Sequence, residues 1–116
     1  MKNKLIRLVE LIQEDYPEDI MALFRTEEQV SLDAKLALTG RAISHHQKRS
    51  ADLWLAAGRK RTLAEKHASA RADLAAFLLA YLTGDAKENV STALEALDAL
   101  GRQSETDLVK SLARRR

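Results

Sequence analysis

The chain has 116 residues, which suits one domain, and its formal net charge is only +2 at pH 7. It contains no cysteine, which excludes disulfides, thiolate zinc sites and cysteine nucleophiles. Hydrophobic residues make up 46% of the chain but aromatic residues only 4%, and a core of Ala and Leu favours close-packed helices over a sheet. We therefore expect one all-α domain over residues 1–116.

The first predicted helix covers residues 3–15, where apolar side chains recur at i, i+3, i+4 and i+7. It should end before Pro17, because the residue before a proline is pushed out of the α region. Pro17 suits the first position of a second, short helix that runs to Phe24. The apolar positions of the first helix are Leu5, Leu8, Val9 and Ile12.

The third predicted helix begins at a capping box, Thr26 to Gln29, and can continue to Ala57. Such a helix is about 48 Å long, so it should either bend or project. The glycine at Gly40 is its most favourable break, at a cost of roughly 1 kcal/mol against alanine. A seam with alternating steps of four and three, three of its positions polar, predicts a paired or hydrated centre. The seam positions are Leu32, Leu36, Thr39, Ile43, His46, Ser50, Leu53 and Ala57.

Glycines delimit the remaining predicted helices. Residues 58–61 form a tight connection, and Thr62 with Glu65 forms a second capping box that starts a helix over residues 63–82. Asp85 caps a fifth helix that ends at Gly101, and Ser104 caps a short sixth helix. The prediction is a small single-domain helical bundle of five to six helices with a long central helical hairpin.

Positive charge is concentrated in residues 41–71, which carry a formal +6 between flanking segments of −3 and −1. Only Asp52 and Glu65 are acidic there, whereas a merely solvated face normally mixes both signs. Concentrated positive charge attracts polyanions. Solvation of an Ala-rich hairpin remains an alternative explanation. The predicted nucleic-acid-binding residues are Arg41, Lys48, Arg49, Arg59, Lys60, Arg61, Lys66 and Arg71.

More specific nucleic-acid readers fit less well. A helix-turn-helix can be laid over residues 53–71, but Trp54 stands where small residues let the two helices pack. The spacing places Trp54 beside Leu53 on the seam, so we expect it to pack in the core. Aromatic platforms for single-stranded bases are therefore scarce. Binding should depend on backbone charge and be independent of sequence, with DNA and RNA both possible.

The histidines give little support to chemistry. His45 and His46 are adjacent, so on a helix they point about 100° apart and cannot share a metal as an i, i+4 pair does. The stretch from His45 to Ser50 resembles the His-x-x-Lys-Gly-Ser segment of histidine phosphotransfer domains, but Arg49 replaces the glycine and Gln47 the apolar residue. We carry no function over from it. We expect no metal and no cofactor.

No nucleotide-binding, zinc-protease or nucleophile-elbow motif occurs, so we do not expect an enzyme or a small-molecule substrate. Charges at Arg7 and Glu10 break any signal-peptide core, and no apolar run approaches the roughly 20 residues that span a bilayer. We therefore expect a soluble, cytoplasmic protein.

The predicted function is a non-catalytic accessory protein that binds nucleic acid through residues 41–71, as a small subunit of a nucleoprotein assembly. In size, helicity and basic face the chain resembles the small helical subunits of CRISPR effector complexes, a likeness of type that no motif carries. The alternative is a protein-interaction module, such as an inhibitor, antitoxin or adaptor. Its apolar helical faces would meet another subunit or a second copy, and its basic patch an acidic protein surface.

Overall fold

The computed structural model describes residues 2–13, 32–85 and 87–114. Within them lie five α-helices and one 3₁₀ turn, with no strand, which confirms the prediction of a small all-α bundle. The predicted helix from Pro17 to Phe24 and the predicted cap at Thr26 lie outside the described residues. The helices are α1 (Lys2–Gln13), α2 (Leu32–Ala56), α3 (Leu63–Leu82), α4 (Val90–Ala99) and α5 (Thr106–Arg114), and the 3₁₀ turn (Gln103–Glu105) leads into α5.

Helix α3 is the centre of the bundle and packs against α1, α2 and α4. From Ala68 to Ala80 it is buried on most of its circumference, because alanines let neighbouring helices approach while larger side chains fill the space between them. Phe77, Leu74 and Leu78 are fully buried in the same core as Leu8, Ile12 and Leu97. Helix α5 closes the bundle with a buried face of Leu108, Val109, Leu112 and Ala113.

Helix α2 is continuous through Gly40 over 25 residues, about 37 Å at 1.5 Å per residue, so of the two predicted outcomes the helix projects and does not break. Leu38 and Ile43, on either side of the glycine, pack against the core. Packing of this kind outweighs the roughly 1 kcal/mol that a helix-interior glycine costs. The predicted seam is largely correct in its middle, where Thr39 and His46 are fully buried.

Each polar position of the seam has a defined partner. The Thr39 hydroxyl donates to the Lys35 carbonyl at 2.7 Å. The imidazole Nε2 of His46 lies 2.7 Å from the carbonyl oxygen of Ile12, so this nitrogen carries the proton and donates it. Since the last carbonyls of a helix have no partner within it, His46 caps the C-terminal end of α1 from α2. At the centre of the seam His46 is therefore paired with another helix, whereas the Thr39 hydroxyl is satisfied within its own helix.

The end of α3 matches its prediction, whereas the start of the next helix does not. Gly84, at φ 90°, lets the chain reverse so that the Asp85 N–H reaches the Ala80 carbonyl at 2.8 Å. The chain then forms a turn in which the Glu88 N–H donates to the Asp85 carbonyl at 3.1 Å. It passes through Asn89 in the left-handed region, and α4 begins at Val90. Asp85 is thus not the N-cap that was predicted.

An ion pair ties α1 to the 3₁₀ turn. The Arg7 guanidinium donates to both Glu105 carboxylate oxygens, at 2.8 and 3.0 Å. Glu105 is buried, and its hydrogen bonds from Arg7 hold the pKa of its carboxyl below the ordinary value. Helix α1 and the 3₁₀ turn are therefore joined by two hydrogen bonds in addition to the apolar packing of the core.

Among the described residues, none of the helices combines the length and the apolar character that a membrane crossing requires.

Replacement of Leu74 by alanine should lower the free energy of unfolding by about 2 to 5 kcal/mol, because the side chain is fully buried in the central helix. Urea unfolding followed by circular dichroism measures the change. Leu63→Ala is the matched control, since Leu63 lies on the same helix and is 67% exposed. That change should stay within about 0.5 kcal/mol. Equal losses at both positions would contradict the core described here.

His46→Leu should lower the free energy of unfolding by about 1 to 3 kcal/mol, because it leaves the Ile12 carbonyl buried without its donor. His46→Gln is the matched variant, since its side-chain amide places an N–H near the position of Nε2. The glutamine variant should recover part of the loss in the same urea titration. If leucine were tolerated as well as glutamine, the hydrogen bond would not be the source of stability.

Candidate nucleic-acid interface

The end of the α2–α3 hairpin projects beyond the core. We call residues 47–67, all of which the structure describes, the hairpin tip. None of residues 47–64 is buried, and Glu65 is the only buried residue of the tip. On α2 the last buried residue is His46, and the first buried apolar residue of α3 is Ala68. From His46 to Ala56 the helix extends about 15 Å. Because no apolar side chain of the tip is buried, polar contacts must contribute to its order.

The polar contacts of the tip centre on the carboxylate of Glu65. The Ser50 hydroxyl donates to its Oε2 at 2.6 Å, and the Arg61 Nε donates to its Oε1 at 2.6 Å. Its backbone N–H donates to the Thr62 hydroxyl at 3.2 Å, which confirms the predicted N-cap of α3. The hydrogen bond from Ser50, then that from Arg61, holds the pKa of the Glu65 carboxyl below its ordinary value despite burial. Glu65 therefore joins α2, the connection and α3.

The chain leaves α2 through a tight reversal at Gly58, as predicted. The Gly58 N–H donates to the Leu55 carbonyl at 3.1 Å and the Arg59 N–H to the Trp54 carbonyl at 2.8 Å. This is a Schellman motif, in which the side chains at the positions of Trp54 and Arg59 usually make an apolar contact. Here the Arg59 guanidinium carbon lies over the indole, 6.0 Å from its centroid.

Trp54 is 38% exposed, so the prediction that it packs in the core is wrong. The physical reason is the distance of Trp54 from the core along the hairpin. At this distance from the core, Trp54 is grouped with Arg61 of the connection and Glu65 of α3. The buried apolar residues of α3 begin only at Ala68. The indole therefore borders a shallow groove between α2 and α3. The groove is lined by Gln47, Ser50, Ala51, Trp54, Arg61 and Glu65.

Most of the predicted cations are exposed, but they do not form one uniform patch. Six of them belong to the hairpin tip, where Asp52 is the only exposed acid. Arg61 is among the six, and its Nε is engaged by Glu65. Arg41 is exposed lower on α2, beside the core. Arg71 is only 8% exposed, so it contributes little to the surface. The six tip residues are Lys48, Arg49, Arg59, Lys60, Arg61 and Lys66.

A second groove lies on the other side of α3, against α4. Arg61 and Lys66 line it together with Asp73 and Glu95. Burial, and then the charge of Glu95, raises the pKa of Asp73 above its ordinary value. The mixed charge of this groove makes it a poorer anion site than the tip. Within residues 7–13, 32–85 and 87–114, no three His, Asp or Glu side chains are placed to hold a metal ion.

Sequence analysis did not place Gln47, Ser50, Trp54 and Glu65 in the candidate site, although it named Ser50 as a seam position and Glu65 as part of a capping box. A signal for the Ser50–Glu65 contact was present, because Ser50 is a polar seam position and the two residues are nearly equidistant from Gly58. In an antiparallel hairpin, such residues face each other. The same count places Trp54 opposite Arg61, which would have predicted a half-exposed ring.

Comparison with protein-family models, with curated proteins and with solved structures finds no match to this chain. Arguments about function therefore depend on the residues of the tip.

Glu65→Gln should destabilise the protein at neutral pH, and the difference from the unchanged chain should shrink in acid. The folded state depresses the pKa of Glu65 below its ordinary 4.5, so its contribution is present above that value and is lost as the pH falls through the folded pKa. Urea unfolding at pH 7 and at successively lower pH measures this. Glu10→Gln, at an exposed carboxyl of α1, is the control and should have little effect at neutral pH. A constant penalty for Glu65→Gln at every pH would contradict the network.

Proposed function

We propose that this protein is a non-catalytic accessory protein that binds nucleic acid through the hairpin tip, as a small subunit of a nucleoprotein assembly. The observation that carries the proposal is the contrast between charge and burial at the tip. Six cations project from a segment without a buried apolar core, in which Asp52 is the only exposed acid and Glu65 is buried. Exposed Lys and Arg side chains at the end of a hairpin can reach phosphates on both sides of it.

Electrostatic binding of this kind has a measurable signature. Each phosphate contact releases condensed counterions, so log K should fall against log salt with a slope of roughly −0.9 per contact on duplex DNA. If five of the six tip cations meet phosphates, the slope is about −4 to −5. Arg61 is the least available of the six for a phosphate contact, because its Nε donates a hydrogen bond to Glu65. Phosphate contacts carry no sequence information directly, so binding should depend little on sequence.

A second candidate is docking to an acidic protein surface. Leu55 is 57% exposed and Leu63 is 67% exposed, and both lie in the hairpin tip. Exposed leucines beside cations suit a protein interface with an apolar centre and a charged rim. Such an interface would lose less affinity with salt than a phosphate contact does.

Charge reversal at the tip should abolish most nucleic-acid binding and flatten its salt dependence by about one unit of slope per lost contact. Fluorescence anisotropy with labelled DNA and RNA, from about 50 to 300 mM salt, measures both. Arg59 and Arg61 are left unchanged, because they contact Trp54 and Glu65. The variant is Lys48→Glu, Arg49→Glu, Lys60→Glu and Lys66→Glu.

The matched control makes the same change in net charge at exposed cations outside the hairpin: Lys87→Glu, Arg102→Glu, Lys110→Glu and Arg114→Glu. It should bind far better than the tip variant, and circular dichroism should show both folded. If the two variants lost affinity equally, net charge rather than the tip would explain binding. If polyglutamate displaced the nucleic acid efficiently and the salt slope were shallow, the protein-docking candidate would be favoured.

A further inference from the structure

We propose that Trp54 is a stacking platform for an unpaired base, so that the hairpin tip prefers single-stranded to double-stranded nucleic acid. The inference rests on the proposed function and specifies its ligand. It starts from exposure. The only tryptophan of the chain is 38% exposed, in a segment with six exposed cations. Aromatic rings beside a positively charged path are the two parts of single-strand binding sites.

The groove beside the ring suits a base better than a phosphate. The Glu65 carboxylate lines the groove together with the Arg61 guanidinium that pairs with it, so the groove has no net positive charge to attract a phosphate. Gln47 adds an amide with donor and acceptor atoms that can meet the polar edge of a base. The tip cations Lys48, Arg49 and Lys60 do not line this groove. A neutral base can therefore occupy the groove while the phosphates of its strand contact those cations outside it.

Arg59 supplies a second face. Its guanidinium carbon lies over the indole at 6.0 Å from the ring centroid. A base stacked between two planar groups needs about twice the 3.4 Å step of a stacked strand, or about 6.8 Å. The guanidinium carbon, 6.0 Å from the centroid, leaves less room than this, so the long arginine side chain must rotate outward to admit a base. Arg59 can then stack on the outer face of the base as a planar cation.

The preference for single strands follows from access. In a duplex each base is stacked on its neighbours on both faces, so an indole can reach only the base at an end or a bulge. In a single strand the bases can be splayed out onto an aromatic side chain. Phosphate contacts remain available in both forms, so duplex binding should persist through the cations alone.

The experiment uses the full chain and its own fluorescence. Because Trp54 is the only tryptophan, its emission reports directly on stacking. Oligothymidylate and oligouridylate should quench this emission along the same curve that anisotropy of labelled oligonucleotide gives. A long duplex with few ends should bind by anisotropy with little quenching.

Variants separate stacking from charge. Trp54→Leu should weaken single-strand binding by about 5- to 150-fold, the range for loss of one base–aromatic stack, and should leave duplex binding within about twofold. Trp54→Phe, which keeps an aromatic face, should lose less. Arg59→Lys keeps the charge without the planar group, so single-strand affinity should fall while the salt slope is unchanged. Leu32→Ala, at a leucine that is 52% exposed and lies outside the tip, is the control for an exposed apolar side chain and should have no effect.

The outcomes are distinguishable. Quenching together with a selective loss in Trp54→Leu supports the stacking platform. Single-strand binding with unchanged emission, and equal affinity in Trp54→Leu, overturns it and leaves electrostatic binding at the tip intact. Failure of all nucleic acids to bind, even at low salt, overturns the proposed function and this inference with it.

Discussion

The Glu65 carboxylate joins the two helices of the hairpin at the start of α3, before the first buried apolar residue of that helix. Its hydrogen bonds to Ser50 and Arg61 connect α2, the connection and the first turn of α3 at one point. A buried carboxylate is unfavourable unless hydrogen bonds and an opposite charge compensate it, and here both do. Because no apolar side chain of the surrounding tip is buried, this contact fixes how α2 approaches the start of α3. Glu65 thus lowers the net charge of residues 41–71 and also holds α2 and α3 together in the hairpin tip.

Polar groups on the helical seam also specify register. His46 reaches the Ile12 carbonyl from α2, and Ser50 reaches Glu65 from one turn further along the same helix. Sliding α2 by one turn would leave these buried groups without partners, whereas an Ala and Leu seam would tolerate the shift with a smaller loss. Buried polar contacts of this kind can select one packing among several that are similarly apolar. In this bundle they align the basic segment with the end of α3.

Helices and their ends followed from the sequence more readily than the site did. The bounds of α3 and the reversals at Gly58 and Gly84 were predictable because caps and left-handed residues are local signals. The sequence left open whether the helix breaks at Gly40, because packing of the neighbouring residues decides this. Asp85 was misread because the closing turn of α3 uses that residue. Trp54 was misread for a related reason. Its exposure depends on where the core ends on the opposite helix, and one helix's periodicity contains no such information.

The division between core and tip separates stability from surface chemistry. Apolar burial on α3 begins at Ala68, so substitutions at Lys48, Lys60 or Trp54 change a surface without opening a cavity. The Schellman motif at Gly58 is made by backbone groups, so it holds the Trp54 and Arg59 positions together whichever side chains they carry. The turn therefore sets the separation of the two backbone positions, and the rotamers of the two side chains set the distance between indole and guanidinium. The Arg59 guanidinium therefore lies over the exposed indole of Trp54, which borders a groove that also contains the Glu65 carboxylate. These features favour stacking of a base over simple attraction of a phosphate.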